Sequence, residues 1–182
     1  RLVIDHGTEA HLIADLIAER GDDPLYVVRR LVRFATEDVG LADPQALTLA
    51  MAAQQAVHFL GMPEGKLALA ELAVYLALAP KSNSIYRAYG AVQRDVEGTR
   101  NDPVPIHLRN AVTGLMRDIG YGKGYEYAHD TEQGVSAQTH LPDNLAGKTW
   151  YQPTTRGFEA KLTERMERIR ALVDEQRKRQ RQ

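Results

Sequence analysis

One segment, from Pro63 to Ala79, constrains the fold of this chain more than any other. Between Leu67 and Leu78 nearly every residue is Leu, Ala, Val or Tyr, and Glu71 is the one charge. A helix without a polar face must be covered on all sides, either by other helices or by another subunit. The segment therefore predicts an enclosed helix whose cover comes in part from copies of the same polypeptide.

Helix signals with clear ends recur along the rest of the chain. Asp43-Pro44 is typical of an N-cap followed by a first-turn proline, and Gly61 ends the helix that follows. Ser82-Asn83-Ser84 is able to cap a further helix. Regular signals stop between Gly120 and Pro153, which is long for a loop inside a compact domain.

These patterns predict an all-α protein: a compact bundle of about seven helices, with a long irregular aromatic-containing segment before the last helix. The predicted helices are Glu9–Arg20, a helix from Pro24 that breaks at Glu37, Pro44–Leu60, Pro63–Ala79, a helix from Ser84 to about Val96, Ala111–Ile119 and Thr155–Lys178.

Composition excludes several classes of protein. The 182 residues contain 43% hydrophobic and 26% charged residues with a net charge of -1, so no overall basic character indicates a nucleic-acid partner. The chain has no cysteine, which excludes disulfides, a thiol nucleophile and a thiolate metal site. No apolar run approaches the roughly 20 residues of a membrane span. Because the first residue is Arg1, we expect a fragment of a longer protein.

An arginine set near the start of the chain has two interpretations. Arg29, Arg30 and Arg33 are followed by Glu37 and Asp38. The ordinary interpretation is a network of ion pairs that joins two helices or modules, with Arg33 and Glu37 one helical turn apart. The alternative is an arginine that reaches a phosphate group of a nucleotide or nucleic acid.

A second motif, Gly120–Tyr125, alternates glycine and tyrosine around Lys123. It is not an ATPase phosphate loop, because the spacing is wrong and no Ser or Thr follows the lysine. The tyrosines are able to stack on unpaired bases, or to fold back onto the core after a helix end. The basic end, Arg177–Arg181, is similarly either a salt-sensitive DNA contact or a solvated terminus.

The residues carry no positive sign of catalysis or of metal binding. No serine lies in a nucleophile elbow, and no two histidines have the i, i+4 spacing of a helical zinc site. We therefore predict no catalytic residue and no metal site, and an all-α enzyme would require a deep pocket with convergent polar groups.

Four segments of the chain closely resemble one family. Together they are similar to the C-terminal half of the RarA/MgsA proteins, AAA+ ATPases of replication forks whose eukaryotic relative is the Werner-helicase-interacting protein. The resemblance covers about residues 9 to 173, and Val112 departs from it because a proline is usual there. The segments are Arg29–Leu47, Gly61–Tyr89, Pro105–Asp130 and Leu141–Met166.

The resemblance implies a division of roles. Residues 1–40 would end the helical region next to an ATPase core, and residues 41–182 would form a helical oligomerisation domain that holds ATPase modules in a homotetramer. Neither a Walker A nor a Walker B motif is present, so this fragment is not expected to be an enzyme. ATP and magnesium would belong to the absent module of a DNA-dependent ATPase, cytoplasmic and nucleoid-associated, acting in DNA replication, recombination and repair.

The expected partners are the chain itself, its ATPase module, single-strand DNA-binding protein and DNA, with no membrane. The alternative function is a nucleic-acid-binding helical module that contacts single-stranded or forked DNA. The residues predicted for the oligomer interface are Leu67, Leu69, Leu72, Tyr75 and Leu76. The residues predicted for DNA contact are Lys81, Arg87, Tyr121, Lys123 and Tyr125.

Overall fold

A computed structural model describes residues 23–99 and 102–180, and over these ranges the chain is helical without strands. This confirms the all-α prediction. The predicted helix Glu9–Arg20 lies outside the described residues. The six α-helices are α1, Pro24–Phe34; α2, Gln45–Leu60; α3, Lys66–Leu78; α4, Ser84–Gly98; α5, Gly114–Asp118; and α6, Glu159–Arg179.

Local sequence signals explain where the early helices begin and end. The Asp23 carboxylate accepts from Leu25 N at 3.0 Å at the start of α1, and Asp43 accepts from Gln45 N at 3.0 Å at the start of α2. Gly61, with φ +73°, ends α2 in a conformation that favours glycine. Helix α3 begins at Lys66, later than predicted, because the chain turns between Gly61 and Lys66.

The later helix predictions are less accurate. The predicted helix Ala111–Ile119 shortens to α5, whose first turn is capped by Thr113 through a 3.2 Å bond from Met116 N. The cap places the helix start at Gly114, so the apolar stripe extends beyond the helix at both ends. Helix α6 begins at Glu159 rather than Thr155, because Thr154 and Thr155 belong to a turn that leads into it.

The described chain forms two compact units, with boundaries inside α4 and α6. The first contains the described residues up to Tyr89 together with Tyr151–Thr163, and the second contains Gly90–Trp150 and the residues from Glu164 onward. Residues on both sides of position 40 belong to the first unit. The predicted division of roles at that position concerns function and stays a prediction.

Helices α1, α2 and α3 pack together around the hydrophobic core of the first unit. The inner face of α2 is narrow, since its buried residues are alanines and one valine, and this allows the larger side chains of α1 and α3 to approach closely. The principal core residues are Val28, Leu31, Ala35, Val39, Ala46, Ala50, Val57, Leu69, Leu72 and Leu76.

Among the described residues, helix α3 is buried on one side only. Leu69, Leu72 and Leu76 are buried in the core, whereas Leu67 is 74% exposed and Leu78 is 66% exposed. The expectation of complete cover is therefore not met by the described residues of one protomer. Cover by copies of the chain stays a prediction.

The second unit is built differently, because it has almost no apolar interior. Ala137 is the only buried residue among its described residues. Hydrogen bonds hold its segments instead: the Asp95 carboxylate accepts from Lys148 and Trp150 at 2.6 Å each, and Gln176 donates to Val135 O at 2.9 Å. Such bonds stabilise a fold by only about 0.5–1.5 kcal/mol each.

A tight backbone crossing joins three segments of the first unit. Phe158 N donates to Ala42 O at 2.7 Å, and Gly157 has a φ of +53°. A Cβ on Gly157 would overlap Ala42 O and lie 2.6 Å from Cγ of Pro80. Glycine is therefore required at this position on both conformational and steric grounds.

We expect Gly157→Ala to lower the free energy of unfolding by at least about 2 kcal/mol, because the new methyl group must displace backbone. Urea titration followed by circular dichroism measures this. Gly98→Ala is the matched control: nothing lies within 4 Å of its Cβ position and α4 ends there, so little change is expected. Equal stability of the two variants would contradict the crossing.

Candidate interaction surfaces and a buried carboxylate

A fully buried carboxylate, Glu159, lies at the start of α6. Every hydrogen bond that the structure describes for it comes from a neutral donor. Oε1 accepts from Ser84 Oγ and from Tyr151 OH at 2.9 Å. Oε2 accepts from Ser82 Oγ at 2.7 Å, from Thr154 N at 2.8 Å and from Thr154 Oγ1 at 2.6 Å.

These donors decide the charge state of the site. Burial alone would raise the pKa of Glu159, but the bonds from Ser84, Thr154 and Ser82 outweigh it and lower the pKa from 4.5 to about 2. Burial and the bond to Glu159 raise the pKa of Tyr151 to about 12, so the phenol keeps its proton. The cluster holds one negative charge and joins the start of α4 to the start of α6.

The sequence pattern does not predict this cluster of hydrogen bonds around Glu159. Ser82 and Ser84 were expected to cap a helix, and Ser82 Oγ does accept from Ser84 N at 3.3 Å. Their hydroxyl protons, however, go to a glutamate 75 or more positions away. No local pattern distinguishes Glu159 from the other acidic residues of α6.

Within the described residues, one arginine of the set forms an ion pair. Arg33 Nη2 lies 2.7 Å from Glu37 Oε1, and this bond raises the pKa of the guanidinium. Both groups are exposed, so the pair contributes little to stability. Arg29 and Arg30 are exposed on α1, and Asp38 accepts from Ser82 N through its carbonyl at 2.7 Å. The predicted ion pair between Arg33 and Glu37 is therefore present within one module, and a role between modules stays a prediction.

The residues predicted for the oligomer interface divide into two groups. Leu69, Leu72 and Leu76 are committed to the core of the protomer, which leaves them no surface to offer a second subunit. Tyr75 is half-buried and donates to an Asp43 carboxylate oxygen at 2.5 Å, which raises its pKa. Leu67 alone of the five is fully exposed.

Lys81, predicted for DNA contact, is bonded within the protomer. Its ammonium group donates to the carbonyls of Leu76 at 2.7 Å, Ala77 at 3.1 Å and Ala79, which end helix α3. Burial lowers its pKa. With all three donors used within the protomer, Lys81 acts as a helix cap, and its role in DNA contact stays a prediction. Arg87 is exposed on α4.

The glycine–tyrosine motif is ordered by its neighbours in the second unit. The Arg109 guanidinium lies 5.1 Å from the centroid of the Tyr121 ring and donates to its hydroxyl at 3.2 Å. One face of Tyr121 is thus occupied, whereas Lys123 and Tyr125 are exposed. The lysine and tyrosines lie in a loop closed by Gln138, which accepts from Glu126 N at 2.9 Å.

Charge is unevenly placed within the second unit. Residues 102–150 contain four Lys/Arg (Arg109, Arg117, Lys123, Lys148) against six Asp/Glu (Asp102, Asp118, Glu126, Asp130, Glu132, Asp143), a net charge of -2, whereas residues 164–182 contain seven Lys/Arg against four Asp/Glu, a net charge of +3. Backbone binding to DNA depends on excess positive charge. The predicted DNA contacts at Tyr121, Lys123 and Tyr125 stay predictions.

Large apolar side chains are widely exposed in the second unit, and α5 is the clearest case, with Leu115 at 69% and Ile119 at 54% exposure. We call the exposed large apolar side chains of this unit the apolar surface of the second unit. They are Val96, Val104, Ile106, Val112, Leu115, Ile119, Tyr125, Tyr127 and Ile169.

Two cavities bear on the described residues. One, of about 190 Å³, lies between α2 and α3, and alanines form much of its wall. Another, of about 490 Å³, is an open cleft of the second unit lined by prolines, His107, Arg109 and the carboxylates of Asp102 and Asp143. Two of its polar side chains make contacts within the protomer: His107 Nε2 contacts Thr139 O at 3.0 Å, and Arg109 Nε donates to Val104 O at 2.6 Å.

Within the described ranges, no group of three His, Cys, Asp or Glu side chains is arranged to hold a metal ion. None of the helices described is both long enough and apolar enough to cross a membrane.

Replacing Glu159 with glutamine should destabilise the first unit by about 2–4 kcal/mol, since an amide group then faces donors that require an acceptor. Because the folded pKa lies below 4.5, ionised Glu159 stabilises the fold fully above about pH 4.5, and that contribution disappears as the pH falls toward 2. Urea titrations at each pH measure the difference between the two proteins.

The expected signature is a constant difference above about pH 5 that narrows between pH 4.5 and pH 2. Glu164→Gln, at an exposed position of the same helix, is the control and should change stability by no more than about 0.5 kcal/mol. A difference that does not depend on pH over this range would show that Glu159 is not held as an anion.

Comparison with known proteins gives a consistent family. The family model described as MgsA AAA+ ATPase C terminal matches residues 8–170. Replication-associated recombination protein A of Coxiella burnetii is 48% identical over 160 residues, which are 87% of this chain and 36% of that protein. The same-named protein of Escherichia coli K12 is 45% identical over 151 residues, 82% of this chain and 34% of that protein.

One of the similar proteins is eukaryotic. ATPase WRNIP1 of Dictyostelium discoideum is 49% identical over 146 residues, which are 80% of this chain and 16% of that protein. The chain thus spans about a third or less of these curated relatives. The match covers both compact units and confirms the resemblance. This chain belongs to the MgsA AAA+ ATPase C-terminal family.

Proposed function

We propose that this chain is the oligomerisation domain of a replication-associated AAA+ ATPase, and that it holds the ATPase modules together as a homotetramer. The proposal depends mainly on the burial pattern of the second unit. Among its described residues, one is buried and nine large hydrophobic side chains are exposed. Family membership supports the setting, because the relatives named above are replication-associated recombination proteins and ATPases.

A compact unit is stabilised mainly by the burial of its apolar side chains. Burying apolar surface contributes about 25 cal/mol per Å², and a domain whose apolar side chains stay in water loses this contribution. In the second unit Leu115 and Ile119 remain in water, as does Val112 beside them. Contiguous exposed apolar surface is typical of protein interfaces.

Hydrogen bonds alone compensate for this loss poorly. The contacts of Asp95, Gln176 and Arg177 join segments of the second unit, but each replaces a bond to water. Packing the apolar surface of one copy against another would supply the missing core. Assembly would then add to the stability of the second unit, while the first unit keeps its own hydrophobic core.

We assign nucleotide binding to the ATPase module of the whole protein rather than to this chain. ATP and magnesium would be bound by the ATPase module of the whole protein, which would act as a DNA-dependent ATPase in replication, recombination and repair, with single-strand DNA-binding protein as a partner.

Light scattering on the 182-residue chain should give a mass of about four times 20.3 kDa. The double variant Leu115→Glu with Ile119→Glu should fall to half that mass or less, because two charges replace apolar surface at the interface. Both side chains are exposed in the protomer, so the helical circular dichroism signal should persist.

Arg117→Glu is the matched control, since it changes the net charge of the same short helix by -2, as the double variant does, without removing apolar surface. It should keep the full mass. A monomeric wild-type chain at micromolar concentration would refute the proposed assembly, and an unchanged mass in the double variant would move the interface away from α5.

A further inference from the structure

We draw no further inference here: the strongest candidate, the outer side of α3, where Leu67 and Leu78 are exposed and an alanine-lined cavity lies between α2 and α3, carries none because nothing among the described residues shows what covers it.

Discussion

Helix α3 has more apolar surface than the described chain is able to bury. Its inner side packs on α1 and α2, and the core formed there is made of side chains that approach closely because α2 presents alanines. Its outer side keeps Leu67 and Leu78 in water. Since the hydrophobic effect is proportional to the area removed from water, this imbalance favours the binding of an apolar surface on that side of the helix.

The buried charge of Glu159 solves a different problem. It joins the segments before α4 and before α6, close in sequence to Gly157, whose backbone approaches Ala42 and Pro80. A carboxylate accepts several hydrogen bonds at once, so one side chain organises two serines, a threonine and a tyrosine. Charge-assisted bonds to it are stronger than bonds between neutral groups, which offsets the cost of burying the ion.

Much of the secondary structure was predictable because helix ends are local. Asp23, Asp43 and Gly61 act within a few residues of their own position, and each is found where the sequence places it. The shorter α5 was not predicted, because Ile119 continues an apolar stripe after the helix has ended. Lys81 was interpreted as a DNA ligand since its sequence position does not reveal the three carbonyls around it.

By itself the sequence determined the all-α class, the order of the helices, the membership of the family and the apolar character of α3. These follow from local propensity and from segment similarity, which need no knowledge of distant contacts. Only the tertiary structure decided which side of α3 is left uncovered, that the second unit has no core of its own, and that Glu159 is an ion among neutral donors. Those features depend on contacts between segments that are distant in the chain, 75 or more positions apart for Ser82 and Ser84 with Glu159, and the packing of such segments is not encoded in any local pattern.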